Sequence, residues 1–280
     1  MIKAKDFLRL AVVVSVVAAR AGATELEAAT VDAWQEYLPG AGARMQARLD
    51  GNQPFLWVDE AADRGLRVQR GEIVVAPLVG HGTQTVPNGL IHDWIGAVLI
   101  PNTTIEGLLS VVHDYDRYKE IFKPVVTDSR SLACDTTEHE FSMLWQRHVL
   151  VVNAAMQGHY RAHDHIVDAH RGYSIVDADS IQEIKEYGHP SEHLLPPDTG
   201  SGFIWRIHSL SRFEERDGGV YLEVEAMALT RDIPGSLRWM VSPVVNRLSI
   251  SSLTTTLRQT RQAVAARPAT LALQEGKGNH

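Results

Sequence analysis

Between residues 125 and 230 the chain reads as six strand-length segments in succession, at 125–132, 140–149, 151–163, 173–186, 203–214 and 220–230. Most connections between them are short and polar, which leaves no room for crossover helices and points to an antiparallel meander. A long helix over 234–266 follows, with Pro243 as an expected kink, and Arg267-Pro268 begins a frayed tail.

The last two strands can be read residue by residue, because Asp217-Gly218 is a strong two-residue hairpin turn. Pairing Arg216 with Gly219 sets Phe213 opposite Leu222, Ser211 opposite Val224, Ser209 opposite Ala226 and Ile207 opposite Ala228. This face is apolar but built of small side chains, so another element must fill the space over it. The reverse face sets Arg212 opposite Glu223, Leu210 opposite Glu225 and His208 opposite Met227, a mixed, charge-paired surface expected to be partly exposed. The final helix brings Ile250, Leu253, Leu257 and Val264 on one stripe, amid Ser251, Ser252, Thr254, Thr255 and Thr256. So many hydroxyls suit a helix poorly for core packing alone.

Upstream, 90–100 is an almost continuous apolar run, stopped by Pro101-Asn102, and reads as a buried strand. Asn102 or Thr103 can cap a short helix whose apolar stripe is Ile105, Leu108, Leu109 and Val112, and 114–122 adds a further helical turn or two before Pro124. Residues 24–49 read as one or two amphipathic helices around Pro39-Gly40, while 55–57 and 71–75 look like short strands. The Gly, His, Thr and Pro of 80–89 are the best linker candidate.

Residues 1–23 carry the marks of a secretory signal peptide: Lys3, Lys5 and Arg9, an uncharged run over 10–19, and Ala21-Gly22-Ala23 as a cleavage pattern. The run is about half of the ~20 apolar residues a membrane-spanning helix needs, so no stable membrane anchor is expected. A periplasmic or secreted chain beginning at Thr24 is the expectation. Its removal takes away four cations and one carboxylate, a net +3, and moves the formal charge from −7 to −10. Such an acidic chain lacks the basic stripe that neutralises phosphates, which argues against a nucleic-acid partner. Cys134 is the lone cysteine, so no internal disulfide or cysteine-based zinc site can form.

The order of elements, together with His92-Asp93-Trp94-Ile95-Gly96-Ala97, the stretch from Val112 to Tyr118 (Val-His-Asp-Tyr-Asp-Arg-Tyr), Phe203-Ile204-Trp205-Arg206 and Asp232-Ile233-Pro234, resembles the SRPBCC superfamily of START, Bet v 1-like and polyketide cyclase proteins. The resemblance covers about residues 88–266 and does not explain 24–87. It implies an α+β helix-grip fold: a curved antiparallel sheet wrapped around a long C-terminal helix, here with an N-terminal helical extension, enclosing an apolar cavity. Trp205, Ser209, Ser211, Ala226, Leu253 and Leu257 are then the candidate wall residues for a hydrophobic small molecule or lipid.

Other clusters have plainer readings. His159, His163, His165 and His170 crowd into twelve residues, but match no metal-ligand spacing and read as exposed or cross-strand histidines. Glu223 and Glu225 beside Arg212 and Arg206 read as ion pairs rather than catalytic carboxylates. His92 and Asp93 point to opposite faces of one strand; a buried Asp93 could serve as an acid or base in a cyclase- or aromatase-like enzyme, or be a satisfied structural group against the extension. No nucleophile elbow, phosphate loop or metalloprotease motif is present. No catalytic residue, metal or cofactor is assigned, and binding is preferred over catalysis.

Overall fold

A computed structural model describes residues 24–149, 152–233 and 235–267. In chain order the elements are β1 (Thr24–Glu25), α1 (Ala28–Leu49), a 3-10 turn (Trp57–Glu60), α2 (Ala62–Gln69), β2 (Val74–Pro77), β3 (Thr83–Val86), β4 (Gly89–Pro101) and α3 (Ile105–Val112). After a 3-10 turn (Tyr115–Arg117) come α4 (Tyr118–Ile121), β5 (Val126–Cys134), β6 (Glu138–Val149), β7 (Val152–Asp168) and β8 (Arg171–Lys185). The chain finishes with β9 (His193–Leu194), β10 (Thr199–Gly200), β11 (Arg206–Arg216), β12 (Gly219–Arg231) and α5 (Gly235–Ala266). The expected signal peptide lies outside the described residues.

Among the described residues one antiparallel sheet runs β2-β4-β12-β11-β8-β7-β6-β5, with β3 also on β4 and β9 on β8. The architecture is α+β, a large antiparallel sheet gripping the long C-terminal helix. The β11–β12 register is the one the turn dictates, from Arg216↔Gly219 to Ile207↔Ala228. Asp217 and Gly218 both have positive φ, 55° and 76°, as a tight hairpin turn matched to strand twist requires.

Both faces of the sheet centre are covered, which is why β4 is apolar at nearly every position. On one face α5 packs Leu253, Leu257 and Val264 against Trp94, Val98, Ile100 and Leu222, with Leu108 and Val111 of α3 alongside. A Cβ on Gly96 would lie 2.8 Å from Leu257 Cδ1 and 2.9 Å from Leu253 Cγ, so the glycine is what lets α5 approach β4. On the other face the N-terminal extension packs Met45, Phe55, Leu56, Trp57, Val58 and Val68 on Ile95, Ala97, Leu210 and Tyr221.

That second layer corrects three expectations. Residues 55–57 do not form a strand; they lead into a 3-10 turn lying on the sheet. Residues 80–89 are no linker, since β3 pairs with β4 from Thr83↔His92 to Val86↔Gly89. The charged face of the final hairpin is not exposed either: Arg212, Glu223 and Glu225 are 1%, 0% and 2% accessible. Arg212 Nε donates to Glu223 Oε2 (3.0 Å) and Nη1 to Glu225 Oε2 (3.5 Å). Glu223 also accepts from the backbone N–H groups of Trp57 (2.9 Å) and Val58 (2.8 Å), so one carboxylate fastens the extension to the sheet. Arg206 takes no part; it pairs with Asp198 at 2.7 Å. Among the described residues no helix is long and apolar enough to cross a membrane.

Candidate functional site

The α5 face of the sheet carries two cross-strand rows. One runs Trp94, Ala226, Ser209, Val176, Ala162, His139 from β4 to β6. Its neighbour runs Gly96, Val224, Ser211, Ser174, Asp164 from β4 to β7. Leu253 and Leu257 press on the β4 end of these rows and are buried. One strand further along, Ser209, Ser211, Val224 and Ala226 remain partly exposed, although they lie in mid-strand on the face that α5 spans. On the reverse face of the same strands Leu210, Arg212, Glu223, Glu225 and Met227 are buried. The sheet centre is thus sealed on the extension side and partly open on the α5 side.

Five of the six expected wall residues therefore share one face, and Trp205 does not. Its ring packs with Trp34, Ala41, Ile91, Met227 and Leu229 on the extension side. Strand alternation was the wrong guide, because β11 begins only at Arg206 and Trp205 precedes the ladder. Asp93 is also on the extension side. Its Oδ2 accepts from Tyr37 Oη (2.6 Å) and Arg44 Nη2 (3.2 Å), and Arg44 also reaches Glu225 Oε1 (2.5 Å). Burial pushes the Asp93 carboxyl up to about 6, against the pull of Tyr37 and Arg44. It is a structural group bonded to the extension and cannot act on a molecule held under α5. His92 does face that side, but Thr83 Oγ1 (3.2 Å) and Thr230 Oγ1 (3.0 Å) occupy both ring nitrogens, and burial lowers its pKa to about 4.

The ionisable groups that do converge on the α5 side come from three separate elements. His113 follows α3 directly, its backbone N–H donating to Leu109 O (2.9 Å). His139 is the second residue of β6, and Asp164 lies near the end of β7, its backbone N–H donating to Thr137 O (2.9 Å). Asp164 Oδ2 is 2.7 Å from His113 Nε2 and 3.2 Å from His139 Nε2, and the two imidazole centroids are 4.4 Å apart. His139 and Asp164 are buried and His113 is partly exposed. Burial raises the Asp164 carboxyl, but the adjoining His113 imidazole, the Ser174 hydroxyl and the His139 ring hold it below its ordinary value. Burial first, and the neighbouring His113 second, lower His139.

Aromatic rings wall this corner. Tyr115 stacks on Phe141 (4.2 Å) and Phe141 on Tyr160 (5.1 Å), and Trp145 Nε1 donates to Tyr160 Oη (3.0 Å). From β6 Arg147 reaches across to α5, donating to Ser252 Oγ at 2.7 Å. The site thus combines small and apolar walls with a compact polar cluster at one end.

The expected histidine cluster stands on the reverse face of β7. His159 and His163 lie 3.8 Å from Glu140 and 3.5 Å from Glu138, and His165 stacks on Tyr173. Alternation held a usable signal: Asp164 sits between His163 and His165, so histidines facing outward imply a carboxylate facing in.

No family model matches the chain. A stretch of 68 residues is 38% identical to part of histone acetyltransferase HAC4 of Arabidopsis thaliana; the match takes in 22% of this chain, which spans only 5% of that protein's length. Similar solved structures include a STAR-related lipid transfer protein from Xanthomonas axonopodis (16% identity, 69% of this chain and 98% of that one, TM-score 0.43). Human STARD10 (12%, 76% and 82%, TM-score 0.41) and the Zhui aromatase/cyclase of Streptomyces sp. R1128 (14%, 63% and 97%, TM-score 0.39) are also similar. Identities this low transfer no activity and no residue role.

Proposed function

We propose that this chain binds an apolar small molecule or lipid between α5 and the sheet, against Ser209, Ser211, Val224 and Ala226, with Leu253 and Leu257 closing the β4 end. The observation that carries this reading is the asymmetry of the sheet centre. Mid-strand residues on the face spanned by the longest helix are partly exposed, while the same strands are sealed behind. A helix that served only to complete a core would cover them, because interiors pack to crystal-like density. Small walls with a few polar groups at one end are the usual make-up of a small-molecule site. Native mass spectrometry of the full chain purified from its own host tests the reading: an adduct lost on organic extraction supports it, and a bare mass with no uptake of added fatty acid or phospholipid rejects it.

An enzyme of the cyclase kind is the second reading. Asp93 has no place in it, but His113 and Asp164 supply a polar pair facing the same space. Turnover abolished by His113→Ala, with ligand uptake retained, would favour it.

Export belongs to the proposal as well. Cleavage after Ala23 would leave β1 intact, since Thr24 pairs with Gly200. Amino-terminal sequencing of the native protein should return Thr24; Met1 on cytosolic protein would reject a periplasmic or secreted location.

A further inference from the structure

We infer that His113, His139 and Asp164 form a binding site for one divalent transition-metal ion of the zinc class. Two imidazole nitrogens and one carboxylate oxygen are the donors such an ion takes, and three protein ligands leave one tetrahedral position for water or a ligand oxygen. The three donor atoms lie within 4.8 Å of one another, so small side-chain rotations bring all of them to the ~2.0–2.2 Å bond lengths of zinc.

Hydrogen bonding alone does not account for the cluster. Both Nε2 atoms approach the same oxygen, Oδ2 of Asp164, rather than sharing its two oxygens. His113 Nε2 is buried and only 2.7 Å from that oxygen, yet it has no hydrogen-bond partner among the described residues. A neutral hydrogen-bonded trio would be expected to spread its donors and satisfy each one.

The surroundings suit a metal held for use. Ser174 bonds Asp164 from the neighbouring strand and orients it, as outer partners of metal-bound carboxylates do. His113 sits on the partly exposed side, at the Asp164 end of the row that starts at Gly96 and passes Ser211. The open coordination position would therefore face the space under α5. The inference does not depend on an apolar ligand being bound there, since the ion can be detected alone.

The test uses the full chain, stripped with a chelator and titrated with Zn2+ by calorimetry, and with Co2+ followed by its visible ligand-field band. The expected result is one equivalent bound, with a four- or five-coordinate Co2+ spectrum. His113→Ala should weaken Zn2+ binding by more than about 100-fold, beyond what loss of an outer partner costs. Asp164→Asn should do the same, and His113, being partly exposed, gives the variant that keeps its fold by circular dichroism. The double variant His163→Ala/His165→Ala, on the reverse face, should bind as the parent does. No Zn2+ or Co2+ uptake by the parent, or loss of uptake in the reverse-face variant with retention in His113→Ala, overturns the assignment. Metal uptake without any apolar adduct would leave this site standing and reject the carrier reading, and the reverse result would do the opposite.

Discussion

Asp93 and His92 are adjacent in β4, point to opposite faces, and should give the protein two opposed pH dependences. Burial lifts the Asp93 carboxyl from 3.8 to about 6, so the folded state binds a proton that the unfolded chain has already lost. Stability from this group is therefore present in acid and falls as pH rises from about 4 to 6. The displacement corresponds to about 3 kcal/mol, an upper figure because it takes the full shift at a residue with no exposed surface. Asp93→Asn removes the charge and keeps an oxygen for the Tyr37 hydroxyl. Urea unfolding from pH 4 to 8 should show parent and variant nearly equal at pH 4, with the variant more stable by up to about 3 kcal/mol at pH 7.5. A variant that loses stability at pH 7.5 relative to pH 4 would refute the reasoning, and would mean that the Arg44–Asp93 ion pair outweighs the burial of the carboxylate.

His92 should behave in the opposite sense. Its pKa is depressed from 6.5 to about 4, so its contribution is complete above 6.5 and lost as pH falls through that window; His92→Gln should flatten the acid limb of the same titration. Arg212→Ala leaves Glu223 buried without a cation and Glu225 with Arg44 alone, and urea unfolding at pH 7 should show a loss of about 3–5 kcal/mol, whereas an exposed pair would cost under 1. Gly96→Ala drives a methyl into Leu253 and Leu257 and should cost about 1–3 kcal/mol, partly recovered in Gly96→Ala/Leu253→Ala. No recovery in the double variant would show that the helix does not rest on β4 there.

The β11–β12 hairpin was legible in full, because a period of two and an Asp-Gly turn leave one register. What covers each face was not legible. Arg212, Glu223 and Glu225 read as surface charges, and only the fold-back of Phe55 to Val58 over 165 positions of sequence makes them core. The continuous apolar run of β4 was the local trace of that second layer, since a strand open on one side would alternate. Leu253 and Leu257 lie on the sheet-facing side of α5, and Ser209, Ser211 and Ala226 on the α5 side of the sheet, as helical and strand periodicity predict. Trp205 was lost for want of the strand's first residue. His113, His139 and Asp164 follow one another at intervals of 26 and 25 positions, and no spacing rule joins a helix end to the ends of two strands; the sheet register does so.

The central claim, a space under α5 that a ligand can fill, is tested most directly at Ser209, which lies in mid-strand opposite Ala226 on the α5 face. Ser209→Phe adds a ring to that space. Thermal unfolding should be read together with titration of the apolar fluorophore N-phenyl-1-naphthylamine into the full chain. The parent should bind the probe, Ser209→Phe should lose most of this binding, and its stability should change by less than the ~1–3 kcal/mol cost of overpacking a filled core. No probe binding by the parent, with strong destabilisation of Ser209→Phe, would contradict the claim and make the α5 face a closed core.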